Sequence, residues 1–219
     1  MKSSDTAPRA AVLSAIRGAI GPRSSNAGEE YQALSREYRQ AGALDEQGCI
    51  DLFVDRLVHY QVGVYRCGRA ELPATIAEAL VRSGGTRMVV PAGLPRDWLP
   101  TGFDFLEDNA LSHRDLDATD GVITGCSQAI ASTGTIVLRH GPAEGRRALT
   151  LVPDYHLCVV FAGQVVESVP EAFDMLERER PALVTTISGP SATADIEMTR
   201  IRGVHGPRRC DVILVGSAR

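Results

Sequence analysis

The spacing of apolar positions changes near residue 62, from a helical period to short β-branched runs. Before that point, residues 10–20 put Val12, Ile16 and Ala19 on one stripe, which Gly21-Pro22 brings to a stop. Residues 23–28 form a polar linker, and residues 29–42 a second helix that is mostly polar. Residues 45–60 carry Ile50, Phe53, Val54, Leu57 and Val58 at helical spacing. Residues 1–60 are therefore expected to form an N-terminal helical arm, whose exposed faces suit a homo-oligomer or partner contact.

Beyond residue 61, strand patterns alternate with helices. Strands are expected at 62–65, 87–91, 121–124, 135–139, 157–161, 183–187 and 212–215, and helices at 71–83 and 170–180. Gly84-Gly85 ends the first of these helices and Pro170 opens the second. This alternation predicts an α/β domain over residues 61–219, with a mostly parallel sheet flanked by helices. The two strands on either side of Gly141-Pro142 suggest an antiparallel excursion.

At 219 residues, with 44% hydrophobic and 23% charged positions, the chain has the length and balance of an ordinary globular protein. The net charge of −4 offers no basic field for nucleic acid, and no apolar run approaches the roughly 18 residues of a membrane span. Lys2 is the only lysine among 23 basic residues, which excludes a Schiff-base or P-loop lysine from the folded part. Cys49, Cys67, Cys126, Cys158 and Cys210 lie far apart in sequence, with no C-x-x-C, so neither an iron–sulfur cluster nor a structural zinc is expected in this chain. The odd cysteine count and polar N-terminus point to reduced thiols and a cytoplasmic location.

Ligands of open α/β sheets gather at the carboxyl ends of strands, and five loops have the composition to receive one. Ala131-Ser-Thr-Gly-Thr135 is small and hydroxylated. Gly141-Pro-Ala-Glu-Gly-Arg-Arg147 brings two guanidinium groups, whose forks fit carboxylate or phosphate. Pro153-Asp-Tyr-His156 places a histidine just before a strand, and Gly203-Val-His-Gly-Pro207 holds His205 between glycines. In Ser188-Gly-Pro-Ser-Ala-Thr-Ala-Asp195, Ser191 reads as the N-cap of a helix with Asp195 and Glu197 early in it, an anion site built from free N–H groups. No H-E-x-x-H, G-x-S-x-G or G-x-G-x-x-G motif is present.

Taken in order, Ala129-Ile-Ala-Ser-Thr-Gly-Thr-Ile-Val-Leu138, Arg146-Arg147, Pro153-Asp-Tyr-His156, Ile187-Ser-Gly-Pro-Ser-Ala-Thr-Ala-Asp-Ile-Glu197 and Gly203-Val-His-Gly-Pro207 resemble the lactate-utilisation protein C family, whose LUD domain is similar to the core of lactate-utilisation protein B. The resemblance is strong over residues 118–216 and weak over the N-terminal third. It implies a NagB/RpiA/CoA-transferase-like fold and a role in oxidising L-lactate to pyruvate beside cysteine-rich and iron–sulfur partner proteins. Those partners would hold the clusters, with no cofactor in this chain. One position departs from the family, which usually has Glu where this chain has Ser132.

The combined expectation is an accessory subunit that binds a small carboxylate- or phosphate-bearing ligand. Thr133, Gly134, Thr135, Arg146, Ser188, Gly189 and Ser191 would hold it, and His156, His205 and Asp195 would supply acid–base chemistry if any occurs. The competing reading is a stand-alone enzyme like the CoA transferases, sugar-phosphate isomerases or folate cyclo-ligase of the same fold group. It would turn over its substrate without iron–sulfur partners.

Overall fold

The computed structural model describes residues 6–21, 26–193, 201–202 and 206–216. The chain divides into two compact units, residues 1–38 and residues 39–219. In the first unit, α1 (Thr6–Ile20) leaves Val12, Ile16 and Ile20 exposed, and α2 (Ala27–Ala33) ends well short of the expected 29–42.

The second unit begins with α3 (Glu46–His59), capped by Asp45, which accepts a hydrogen bond from the Gly48 N–H at 2.8 Å. Its stripe of Cys49, Ile50, Phe53 and Leu57 is buried. This corrects the expected 1–60 arm: α3 is part of the α/β core, because its apolar face has a sheet to cover.

The remaining elements alternate as the pattern predicts: β1 (Gly63–Gly68), α4 (Leu72–Ser83), β2 (Arg87–Pro91), β3 (Asp104–Asp108), α5 (His113–Asp117), β4 (Gly121–Thr124), β5 (Gln128–Ile130), β6 (Thr135–Leu138), β7 (Tyr155–Phe161), β8 (Val165–Val166), α6 (Val169–Glu179), β9 (Thr185–Ile187), β10 (Ala192–Thr193), β11 (Ile201–Arg202) and β12 (Arg209–Gly216). Six strands form a parallel sheet in the order β1-β12-β7-β4-β2-β3. A second sheet, β8-β5-β6-β9, contains the antiparallel pairs β5/β6 and β6/β9. The antiparallel excursion therefore exists, but it closes around Thr133-Gly134 rather than Gly141, and β7 returns to the parallel sheet.

β7 and β12 are nearly continuous apolar runs because both their faces are covered. Leu157, Val159, Ile213 and Val215 face α4, alongside Ile76 and Leu80. Cys158, Val160, Val212 and Leu214 face α3 and the second sheet, alongside Phe53, Ala129 and Ile136. The second sheet buries Ile130 and Val137 against Ala172 and Leu176 of α6. The capping box Ser168–Glu171 starts α6, with Pro170 in its first turn.

Candidate functional site

The first histidine-bearing loop of the sequence reading leads into β7, and His156 sits at the second position of that strand, opposite Val122 of β4 and Cys210 of β12. That is the amino end of the parallel strands, not the carboxyl end where a ligand was expected. Here the start of β12, the turn at 147–150 and the segment after β9 line a half-open cavity of about 300 Å³. Its wall includes Arg147, His156, Ser188, Gly189 and Ser191. His156 is only 1% exposed. Its Nε2 lies 2.8 Å from Thr124 Oγ1, and its Nδ1 is buried with no hydrogen-bond partner. A buried nitrogen left open beside a polar cavity calls for an explanation, since such groups are normally paired.

The Thr133-Gly-Thr135 turn stands behind this wall. Thr133 Oγ1 lies 2.7 Å from Thr135 Oγ1, which lies 2.8 Å from Ser188 Oγ, so three hydroxyls form one chain that ends at the cavity. Both glycines near it are required by shape. Gly134 has φ +60° and presses on Arg56 of α3; Gly189 has φ +80° and presses on Tyr60. The Ser191 N–H donates to the Pro207 carbonyl at 2.8 Å, which ties the serine loop to the start of β12. Ser132 is exposed, and its N–H donates to the Glu167 carbonyl at 3.0 Å.

The two adjacent arginines have different partners. Arg146 is bound to Asp108 in a two-pronged pair, Nε to Oδ2 at 2.7 Å and Nη2 to Oδ1 at 2.9 Å, and also reaches the Leu111 carbonyl. Those bonds and the positive charge hold the Asp108 carboxyl below the usual carboxylate range. Arg146 lines a different cleft, of about 630 Å³, at the carboxyl ends of β2 and β3. Arg147 reaches both spaces, and its Nη1 donates to the Thr150 carbonyl and hydroxyl at 2.8 and 3.0 Å.

Asp195 and His205 lie outside the described residues. The helix expected to start at Ser191 is absent there: Ala192–Thr193 pair as β10 with β11 in an antiparallel ribbon. The helix N-terminus on which the expected anion site was built is therefore not formed at residues 191–193. Thr124 and Cys158 were not singled out as site candidates in the sequence, whereas Arg147 was read there beside Arg146. The available signal was a hydroxyl closing the buried run 121–124, in register with the strand that carries His156. Among the described residues no group of three or more His, Cys, Asp or Glu side chains is placed to hold a metal ion, and no helix is long and apolar enough to cross a membrane.

This is an open parallel α/β protein with a satellite mixed sheet and a small hydroxyl- and imidazole-lined cavity. The LUD domain matches residues 96–215. The lactate utilization protein C of Deinococcus radiodurans is 46% identical over 195 residues, which cover 87% of this chain and 90% of that protein. Lactate utilization protein C 1 of Bacillus mycoides is 35% identical over 104 residues, 45% of this chain and 44% of that one. The crystal structure of a DUF162 family protein from Deinococcus radiodurans superposes with a TM-score of 0.69 at 43% identity, covering 80% of this chain and all of that one. The chain belongs to the LUD domain family.

Proposed function

We propose that this chain is a cytoplasmic accessory subunit of an L-lactate-oxidising system and binds a small carboxylate or phosphate in the cavity beside His156. The similarity to lactate utilization protein C over most of the chain supports the pathway. In this reading the cysteine-rich and iron–sulfur partners hold the clusters that accept electrons, and this chain needs none.

One observation carries the ligand: Arg147, His156 and Ser188–Ser191, distant in sequence, converge on one half-open space of about 300 Å³. That is the lower end of small-molecule sites and ample for a three-carbon acid. Arg147 supplies the charge, the Ser188 hydroxyl an oriented dipole backed by Thr135 and Thr133, and His156 a ring nitrogen closed off from bulk water. A charge-assisted bond of this kind contributes about 1.5–3 kcal/mol, roughly ten- to hundredfold in affinity.

The test is calorimetric titration of the full chain with lactate, pyruvate and phosphate. Arg147→Ala should weaken the wild-type ligand by about ten- to hundredfold, whereas Arg146→Ala, already committed to Asp108, should change affinity little. Equal affinity in wild type and Arg147→Ala would reject the cavity as the site. Lactate oxidation by the purified chain alone would reject the accessory role.

A further inference from the structure

The open Nδ1 of His156 acquires a direction from the groups behind it. Three proton donors stand in a row, of which His156 lines the cavity. The Cys158 thiol donates to the Gly125 carbonyl at 3.6 Å. The Thr124 hydroxyl lies 3.9 Å from Cys158 Sγ, as donor, and 2.8 Å from His156 Nε2. Burial pushes the Cys158 thiol well above its ordinary pKa, so it keeps the proton it gives to Gly125.

With the thiol proton so placed, Cys158 Sγ is free to accept from Thr124, and Thr124 Oγ1 to accept from His156 Nε2–H. Every donor in the row then has an acceptor. The other tautomer would leave Nδ1–H as a buried donor with nothing to receive it, and orphaned buried N–H groups are rarer than under-used acceptors. The row therefore favours the Nε2–H form and leaves a bare lone pair on Nδ1, on a residue that lines the cavity.

We infer that the cavity selects anions that bring their own hydrogen-bond donor, with Thr124 and Cys158 as positioning residues that fix His156 as the acceptor. This rests on the cavity being the anion site. An oxyanion whose atoms all accept would set lone pair against lone pair at Nδ1. A hydroxyl beside a carboxylate, or the remaining proton of a monohydrogen phosphate, gives Nδ1 a partner while Arg147 takes the charge. Neither Thr124 nor Cys158 needs to touch the ligand, since both act through the imidazole.

Two readouts test it on the full chain. The first is two-bond proton–nitrogen NMR of histidine-labelled protein, which reports the tautomer without any ligand. Wild-type His156 should be in the Nε2–H form. Thr124→Val, close in shape but without an acceptor, should release it to a tautomer mixture, and Cys158→Ala should do so in part.

The second is paired titration of lactate against pyruvate and of phosphate against sulfate. The donor-bearing member should bind about tenfold tighter or more, and Thr124→Val should erase most of that advantage. A preference confined to the first pair identifies a hydroxy acid, and one confined to the second a phosphate; either supports the inference. A wild-type Nδ1–H tautomer overturns it whatever binds, and needs no variant to fold. Equal binding within both pairs, with the Nε2–H form present, overturns the selectivity and keeps the anion site. Failure of all four anions to bind overturns both.

Discussion

Arg146 and Arg147 are neighbours of one type, yet one is paired with a carboxylate and the other with the Thr150 carbonyl and hydroxyl. The Asp108 side chain is 6% exposed and Arg146 is 39% exposed, so the pair is buried at its carboxylate end and wet at its guanidinium end. Arg146→Ala should cost about 1–2 kcal/mol, less than a fully buried pair, because water can partly replace the lost donors. The pH dependence has a definite sign. Asp108 titrates below its unfolded value, so its contribution is complete above the ordinary carboxylate range and is lost as pH falls through the folded value. The stability gap between wild type and Arg146→Ala should therefore be full near neutral pH and narrow below about pH 4. Urea denaturation at pH 7 and pH 3 measures it; a gap that is constant or widens in acid would contradict the pairing. Sequence offered no way to tell the two arginines apart, since the choice depends on Asp108, 38 residues away. His156 was legible as a site candidate because histidine before a buried strand is unusual chemistry; its hold on Thr124 depends on register, which pattern does not give.

Elements were legible wherever period alone decides them. β2 and β4 fall at the residues expected, and α4, α6, β7 and β12 overlap the expected ranges closely. β3 was missed because Asp104–Asp108 is half polar, as an edge strand can be. β5, β8, β10 and β11 were missed because two or three residues carry no period. The turns between elements give a sharper prediction. A Cβ on Gly134 would sit 2.7 Å from Arg56 Cβ, and one on Gly189 2.7 Å from Tyr60 Cβ, in backbone that side chains rarely adopt. Gly134→Ala and Gly189→Ala should each lose about 1–3 kcal/mol, because Cβ atoms cannot swing aside as a flexible side-chain end would. Gly163→Ala is the control, with no atom within 4 Å of the added carbon, and should stay within about 0.5 kcal/mol. Comparable losses in all three variants would show that the two turns are not pinned to α3 and its end.

For the whole molecule, the boundary of the folding unit decides what can be removed. The change of period near residue 62 marks where strands begin, but the unit itself begins at Arg39. Among the described residues the apolar clusters lie within residues 39–219, and one of them takes Cys49, Ile50, Phe53 and Leu57 from α3. Arg39 also pairs with Glu167, which accepts from the Leu44 N–H at 2.7 Å, so this leading segment is tied to the second sheet before α3 begins. A fragment of residues 39–219 should therefore fold cooperatively, with a thermal midpoint within about 4 °C of the full chain, the shift expected of roughly 1 kcal/mol at this size. A fragment of residues 61–219 should behave differently. It exposes the face of the sheet that Phe53 and Leu57 cover, and each such loss costs about 2–5 kcal/mol. Together these losses rival the 5–15 kcal/mol that holds an ordinary domain. The shorter fragment should lose its cooperative transition and bind a hydrophobic dye at room temperature, while the longer one does neither. Calorimetry of the two beside the full chain reads the difference directly. A cooperative 61–219 fragment would return α3 to a separate arm, and an unfolded 39–219 fragment would place part of the core in residues 1–38.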